Sequence, residues 1–126
     1  MSGNPRYVQD TNAIVSLLAG NRTLAERLEA AEYVGISIIS YLEFLAFDGL
    51  TDADRRSFAR FCERVDVVSL SLDHGELLDK ALELRSRHRL KLPDAIIGAT
   101  AESKASRLIT NDAHFDTVAS LSVDRC

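Results

Sequence analysis

Long apolar runs and paired cysteines are both missing from this 126-residue chain. No apolar stretch reaches the roughly 18–20 residues that span a bilayer. The longest candidate, Tyr33 to Phe47, is shorter and carries Glu43. The opening residues Met1 to Arg6 contain no apolar signal core, so the expectation is a cytoplasmic protein with a short flexible lead-in over residues 1–6. Cys62 and Cys126 are isolated in sequence, which argues against a disulfide framework or a zinc knuckle and for reduced thiols. His74, His88 and His114 are scattered, and none forms a metal-ligand pair on a helix. Any metal held here is therefore expected to prefer oxygen, as magnesium and manganese do. The net charge of −4 argues against a general nucleic-acid coat protein, but leaves a nucleic-acid enzyme open. No internal repeat, low-complexity tract or domain boundary is visible, so residues 1–126 are expected to form one domain.

What the chain does contain is a set of acidic residues at the edges of apolar segments. Asp10 ends Tyr7-Val8-Gln9, and Glu43 interrupts the run from Gly35 to Phe47. Asp94 lies between Leu92-Pro93 and Ala95-Ile96-Ile97-Gly98-Ala99, and Asp112 closes Leu108-Ile109-Thr110-Asn111. An ionised carboxylate in apolar surroundings is costly unless a cation or hydrogen-bond donors compensate it. Four such positions point to a metal-holding acidic site.

Apolar periodicity places strands at Tyr7 to Asp10, Val34 to Ile39, Val67 to Leu70, Leu108 to Thr110 and Leu121 to Val123. Helices are expected at Thr11 to Ala19, Leu24 to Ala31, Ser40 to Phe47, from Thr51 onward, after Asp73, and from Pro93 to Ser103. Thr51-Asp52-Ala53-Asp54 reads as a cap. Asp73 with Glu76 reads as another, opening a helix whose Leu77, Leu78, Ala81, Leu82 and Leu84 face the core. Alternating strands and helices imply an α/β fold on a parallel sheet. Sites in such folds gather beyond the carboxyl ends of the strands; Asp10 and Asp112 sit at two such ends, and Glu43 and Asp94 lie in first turns of helices expected to start near that edge.

Each acid also has a plainer explanation. Ser40-Tyr41-Leu42-Glu43 matches a capping box, although Ile39 and Phe47 at i−4 and i+4 would turn the Glu43 face inward. Asp94 could favour the positive end of its helix, Asp10 could be an N-cap, and Asp112 a turn former. Asn12 and Thr110 could hold carboxylates in place or serve only in turns. Arg85-Ser86-Arg87-His88-Arg89-Leu90-Lys91 could meet phosphates, or simply favour a helix C-terminus. Arg56, Arg60 and Arg64 share a helical face that reads as solvent-exposed.

Taken in order, Asp10-Thr11-Asn12, Ser40-Tyr41-Leu42-Glu43, Leu92-Pro93-Asp94-Ala95-Ile96-Ile97-Gly98-Ala99-Thr100-Ala101 and Leu108-Ile109-Thr110-Asn111-Asp112-Ala113-His114-Phe115 resemble a PIN domain, and more narrowly the VapC-type toxins of toxin–antitoxin pairs. The resemblance covers essentially the whole chain; the last two blocks are the most distinctive. Gln9 departs from the apolar residue more usual before the first acid. The resemblance implies an α/β/α sandwich around a parallel sheet of four to five strands, and a Mg2+- or Mn2+-dependent endoribonuclease. It gives catalytic and metal-binding roles to Asp10, Glu43, Asp94 and Asp112, beside which Asn12 and Thr110 stand as the candidate supporting donors read above. It further implies an RNA substrate, a cognate antitoxin that occupies the site, and commonly a homodimer; on their charge alone, Arg85, Arg87, Arg89 and Lys91 could contact the RNA backbone. Two rivals stand beside this reading. One is a PIN-fold module that binds RNA or protein without turnover. The other is an aspartate-nucleophile phosphatase or phosphotransfer domain, for which Lys104 is the plausible active-site lysine, ahead of Lys80 and Lys91.

Overall fold

The structure, a computed structural model, describes residues 4–126. Its centre is β1 (Arg6–Gln9), flanked by β2 (Tyr33–Ser37) and β4 (Arg107–Ile109). The edges are β3 (Asp66–Val68) beside β2 and β5 (Val123–Asp124) beside β4. All neighbours pair in parallel, in the order β3-β2-β1-β4-β5. A parallel sheet needs covering on both faces. It is covered by α1 (Thr11–Leu18), α2 (Arg22–Glu29), α3 (Ile38–Leu45), α4 (Asp52–Arg64), α5 (Gly75–His88) and α6 (Leu92–Ser103). The result is the expected α/β/α sandwich on five parallel strands.

Side chains alternate across the strands and so divide the core. Val8 and Leu108 pack with Leu77, Ala81, Leu84, Ala95 and Ile97 of α5 and α6. Tyr7 and Ile109, on the opposite face, pack with Ala13 and Leu24 of α1 and α2. Ile36 packs with Ile14, Phe44 and Phe58, where the Phe44 and Phe58 rings stack 4.1 Å apart. Gly98 keeps α5 close to α6, since a Cβ there would stand 3.2 Å from Leu84 Cδ1.

Several local expectations shift. β1 begins at Arg6, inside the expected lead-in, whose residues 1–3 lie outside the described residues. β2 stops at Ser37 rather than Ile39, because the Ser37 hydroxyl accepts the Ile39 amide at 3.0 Å and opens α3 early. The Ser40–Glu43 capping box therefore does not form, and Ser40 is buried within the helix. β3 starts at Asp66 and ends at Val68, and β5 starts only at Val123. α5 is entered through His74 with no side-chain cap, so Asp73 does not cap it. Leu77, Ala81 and Leu84 form its buried stripe, Leu78 is partly buried, and Leu82 is 63% exposed because it lies off that stripe. The Thr51–Asp54 capping box does form: the Thr51 hydroxyl accepts the Asp54 amide and the Asp54 carboxylate accepts the Thr51 amide, each at 3.0 Å. Among the described residues, no helix is long and apolar enough to cross a membrane.

Candidate active site

The register that aligns Gln9 with Ile109 puts the next residues, Asp10 and Thr110, side by side at the carboxyl edge of the sheet. There the Asp10 amide donates to the Ile109 carbonyl at 2.9 Å. Asp10 is 5% exposed and caps α1, accepting the Thr11 amide at 2.7 Å. Its second oxygen accepts from the Thr110 hydroxyl at 2.7 Å and from the Asn12 amide group at 3.3 Å. Asn12 also reaches across to the next connection, where its Oδ1 accepts the Asn111 amide at 3.1 Å. The capping reading of Asp10 is thus correct, and Asn12 and Thr110 are the residues that clamp it.

Asp94 occupies the first turn of α6, after Pro93, where the helix N-terminus favours negative charge. Glu43, on α3, is exposed rather than inward, and its Oε1 accepts the Thr11 hydroxyl at 2.6 Å. Asp112 caps a 3₁₀ turn over Ala113–Thr117 and accepts the His114 amide at 2.9 Å, a turn former as its plainer reading held. These local duties do not disperse the acids. Asp10, Glu43, Asp94 and Asp112 line one cleft of about 530 Å³, together with Thr11, Asn12, Ala46 and the exposed ring of Phe47.

Electrostatics in the cleft favour an added cation. Burial pushes the Asp10 carboxyl above its ordinary value, with Glu43 and Asp112 adding to the rise and the Thr110 and Thr11 hydrogen bonds opposing it. Asp94 is raised by burial and then by Asp10, Asp112 and Glu43, against a smaller lowering by His114. Among the described residues no donor bonds to the Asp94 carboxylate. Half-buried, mutually repelling oxygens with free lone pairs fit a hard divalent cation.

A second cleft of about 380 Å³ opens beside the first and shares Asp94; His88, Arg89, Lys91 and His114 line it. Of the expected phosphate contacts, Arg89 and Lys91 therefore border the acidic site. Arg85 instead donates to the Leu90 carbonyl at 2.9 Å and stays with the backbone, while Arg87, 74% exposed, lies 3.9 Å from Glu83. Arg56, Arg60 and Arg64 are exposed, as read from their spacing. Lys104 sits past the far end of α6 from Asp94 and pairs with Asp66 at 3.8 Å, which removes it from any role at Asp10. Lys80 pairs with Glu83 and Glu102. His114, which has no ligand partner along a helix, meets an acid through the fold. Its ring Nδ1 lies 2.9 Å from Asp112 Oδ1. The signal was a histidine two positions after an acid in a turn-forming segment.

The chain is similar in fold to several solved assemblies. A toxin–antitoxin complex from Klebsiella pneumoniae shares 26% identity at a TM-score of 0.75, covering 91% of this chain and 94% of that one. VapBC2 from Rickettsia felis, bound to a DNA fragment from its promoter, gives 18% and 0.80, covering 94% and 97%. VapBC-1 from nontypeable Haemophilus influenzae gives 22% and 0.78, covering 94% and 96%. Among curated proteins, none matches the chain. The PIN domain family model matches residues 7–121, nearly the whole chain, and with the acidic cleft at the carboxyl edge of its sheet the protein belongs to the PIN domain family.

Proposed function

We propose that this protein is a divalent-cation-dependent endoribonuclease, the VapC-type toxin of a toxin–antitoxin pair. The observation that carries the reading is the convergence of Asp10, Glu43, Asp94 and Asp112, from four separate stretches, on one open cleft. Membership of the PIN family and the likeness to a Klebsiella pneumoniae toxin–antitoxin complex support it.

Carboxylates alone repel a phosphodiester, so these residues make sense as a cradle for a cation rather than for the substrate directly. Mg2+ or Mn2+, when bound, supplies positive charge for the phosphate and makes water acidic enough to attack near neutral pH. Asp10 and Asp94 are the principal holders of that ion. Thr110, Thr11 and Asn12 keep the Asp10 oxygens in a fixed orientation, so little reorganisation is needed on binding. Glu43, exposed and tied to Thr11, holds the ion or orients the attacking water. Asp112 completes the set from the opposite strand connection. Arg89 and Lys91 meet the RNA backbone next to the scissile phosphate, a contact that carries affinity without sequence information.

The partners of this reading are RNA, a cognate antitoxin that covers the cleft, and a second copy of the chain in a homodimer. Incubating purified, antitoxin-free protein with total RNA, in manganese or in chelator, tests it. The reading expects discrete fragments that appear only with the metal. Tight RNA binding without fragments would overturn it in favour of a binding module.

A further inference from the structure

Asp112 reaches the cleft from an irregular connection, residues 110–112, between β4 and the 3₁₀ turn. Irregular backbone needs partners from elsewhere to stay in place. Its amides are bonded: Thr110 donates to the Asp124 carbonyl at 2.9 Å, Asn111 to Asn12 Oδ1 at 3.1 Å, and Asp112 to Thr110 Oγ1 at 3.0 Å. On the carbonyl side stands Arg125, just past β5. Its Nη1 donates to the Thr110 carbonyl at 3.0 Å and lies 3.5 Å from the Asp112 carbonyl. Its Nη2 bonds both carboxylate oxygens of Asp116 in the 3₁₀ turn. Arg125 is itself anchored, since its own carbonyl accepts from Arg27 Nη1 and Nη2 of α2, each at 3.1 Å. The following amide, that of Cys126, donates to Asn111 Oδ1 at 3.1 Å. A guanidinium presents five donors in a rigid planar fork, so one side chain can hold two carbonyls and a carboxylate together; an ammonium has no such spread.

We infer that Arg125 is a positioning residue of the acidic cleft: it fixes the connection that carries Thr110 and Asp112, and through Thr110 it sets Asp10 as well. The Thr110 hydroxyl donates to Asp10 Oδ2 and accepts the Asp112 amide, so a shift of this connection displaces both acids. The inference rests on reading the cleft as a cation site and adds the residue that keeps its ligands in register. Charge alone makes the opposite prediction. Arg125 is a cation bonded to the backbone next to Asp112, and removing it would relieve repulsion of a bound divalent ion. A positioning role therefore weakens metal binding when Arg125 is lost, whereas a purely electrostatic one strengthens it.

The test uses the full chain with Arg125→Ala, Arg125→Lys and, as a control, Arg107→Ala, which loses the 2.6 Å ion pair to Asp124 of β5 but no bond to the connection. Each protein is stripped with chelator and titrated with Mn2+, the free aqueous ion being followed by electron paramagnetic resonance, at a temperature where its circular dichroism matches native. Loss of a group that orients a metal ligand typically weakens binding by about 10–100-fold, so Arg125→Ala should bind manganese at least about tenfold more weakly than native. Arg125→Lys keeps the charge and loses the fork, and should fall short of native by several-fold. Arg107→Ala should match native. In RNA cleavage at saturating manganese, Arg125→Ala should lower kcat and leave KM unchanged. Equal or tighter manganese binding by Arg125→Ala, or equal weakening in Arg107→Ala, would overturn the inference while leaving the cleft a cation site. A raised KM with native kcat would overturn it too, by making Arg125 an RNA contact. Should Arg125→Ala not fold, the lysine variant decides, and native affinity in it would overturn the inference. A native protein that binds no manganese would overturn both this inference and the cation reading of the cleft.

Discussion

The Thr110 hydroxyl donates to Asp10 Oδ2 at 2.7 Å, joining residues 100 positions apart at the ends of β4 and β1. Thr110 is fully buried and Asp10 nearly so, and the same hydroxyl accepts the Asp112 amide at 3.0 Å and the Asn12 amide group at 3.3 Å. One side chain thus sets the position of two of the four acids.

Thr110→Val keeps the shape and removes both roles. A hydrogen bond to a charged group contributes about 1.5–3 kcal/mol, and losing it leaves a buried carboxylate less well solvated. At neutral pH the variant should lose stability of that order in urea denaturation, while Thr110→Ser should lose much less. Equal stability of Thr110→Val and native would mean that the clamp is energetically idle.

Protonation gives a second check, with the sign set by the upward shifts. Asp94 ionises near 3.8 in an unfolded chain and above that value in the folded one, because of burial and then Asp10, Asp112 and Glu43. The native state therefore binds more protons between the two values, and stability falls as pH rises through that interval. Asp10 is shifted in the same direction. In chelator, Asp94→Asn should be more stable than native at pH 7, and this advantage should shrink as pH falls toward the unfolded value. The urea midpoint measured across pH reads it directly. An advantage that does not change with pH would contradict the burial argument.

On the proposed function, the basic connection between α5 and α6 divides into structural and RNA-binding parts. Arg89 adopts a left-handed backbone with φ of 55°. Glycine accepts that conformation freely, so Arg89→Gly should stabilise the protein by up to about 1 kcal/mol while weakening RNA binding. Arg85→Ala should instead destabilise it, through the lost bond to Leu90. Replacing Arg89 and Lys91 together should lower the salt dependence of RNA affinity by about two phosphate contacts, and Arg87→Ala should leave it unchanged. Filter binding at several salt concentrations separates these outcomes.

How legible the site was in the sequence depended on whether local chemistry decides a position. Thr51–Asp54 and Ser40–Glu43 show the same capping pattern, yet only the first forms. The difference lies outside the pattern: Ser37 ends β2 and starts α3 before Ser40 is reached, leaving Glu43 free to accept from Thr11. The parallel sheet and the carboxyl-edge position of Asp10 and Asp112 follow from periodicity and strand–helix alternation, whereas the spatial order of the strands comes only from the structure. The inward expectation fails for Leu82, because Leu77, Ala81 and Leu84 already fill that stripe. His114 forms no ligand pair along a helix, and it is a 3₁₀ turn that brings its ring to Asp112.

The central claim is that Asp10 and Asp94 hold a divalent cation between them. Melting curves of native protein and of the Asp10→Asn, Asp94→Asn double variant, each in chelator and in millimolar manganese, test it most directly. The account predicts that manganese raises the native melting temperature by several degrees, as any ligand of the folded state does, and leaves the variant where it was. The same rise in both proteins, or no rise in the native one, would contradict it.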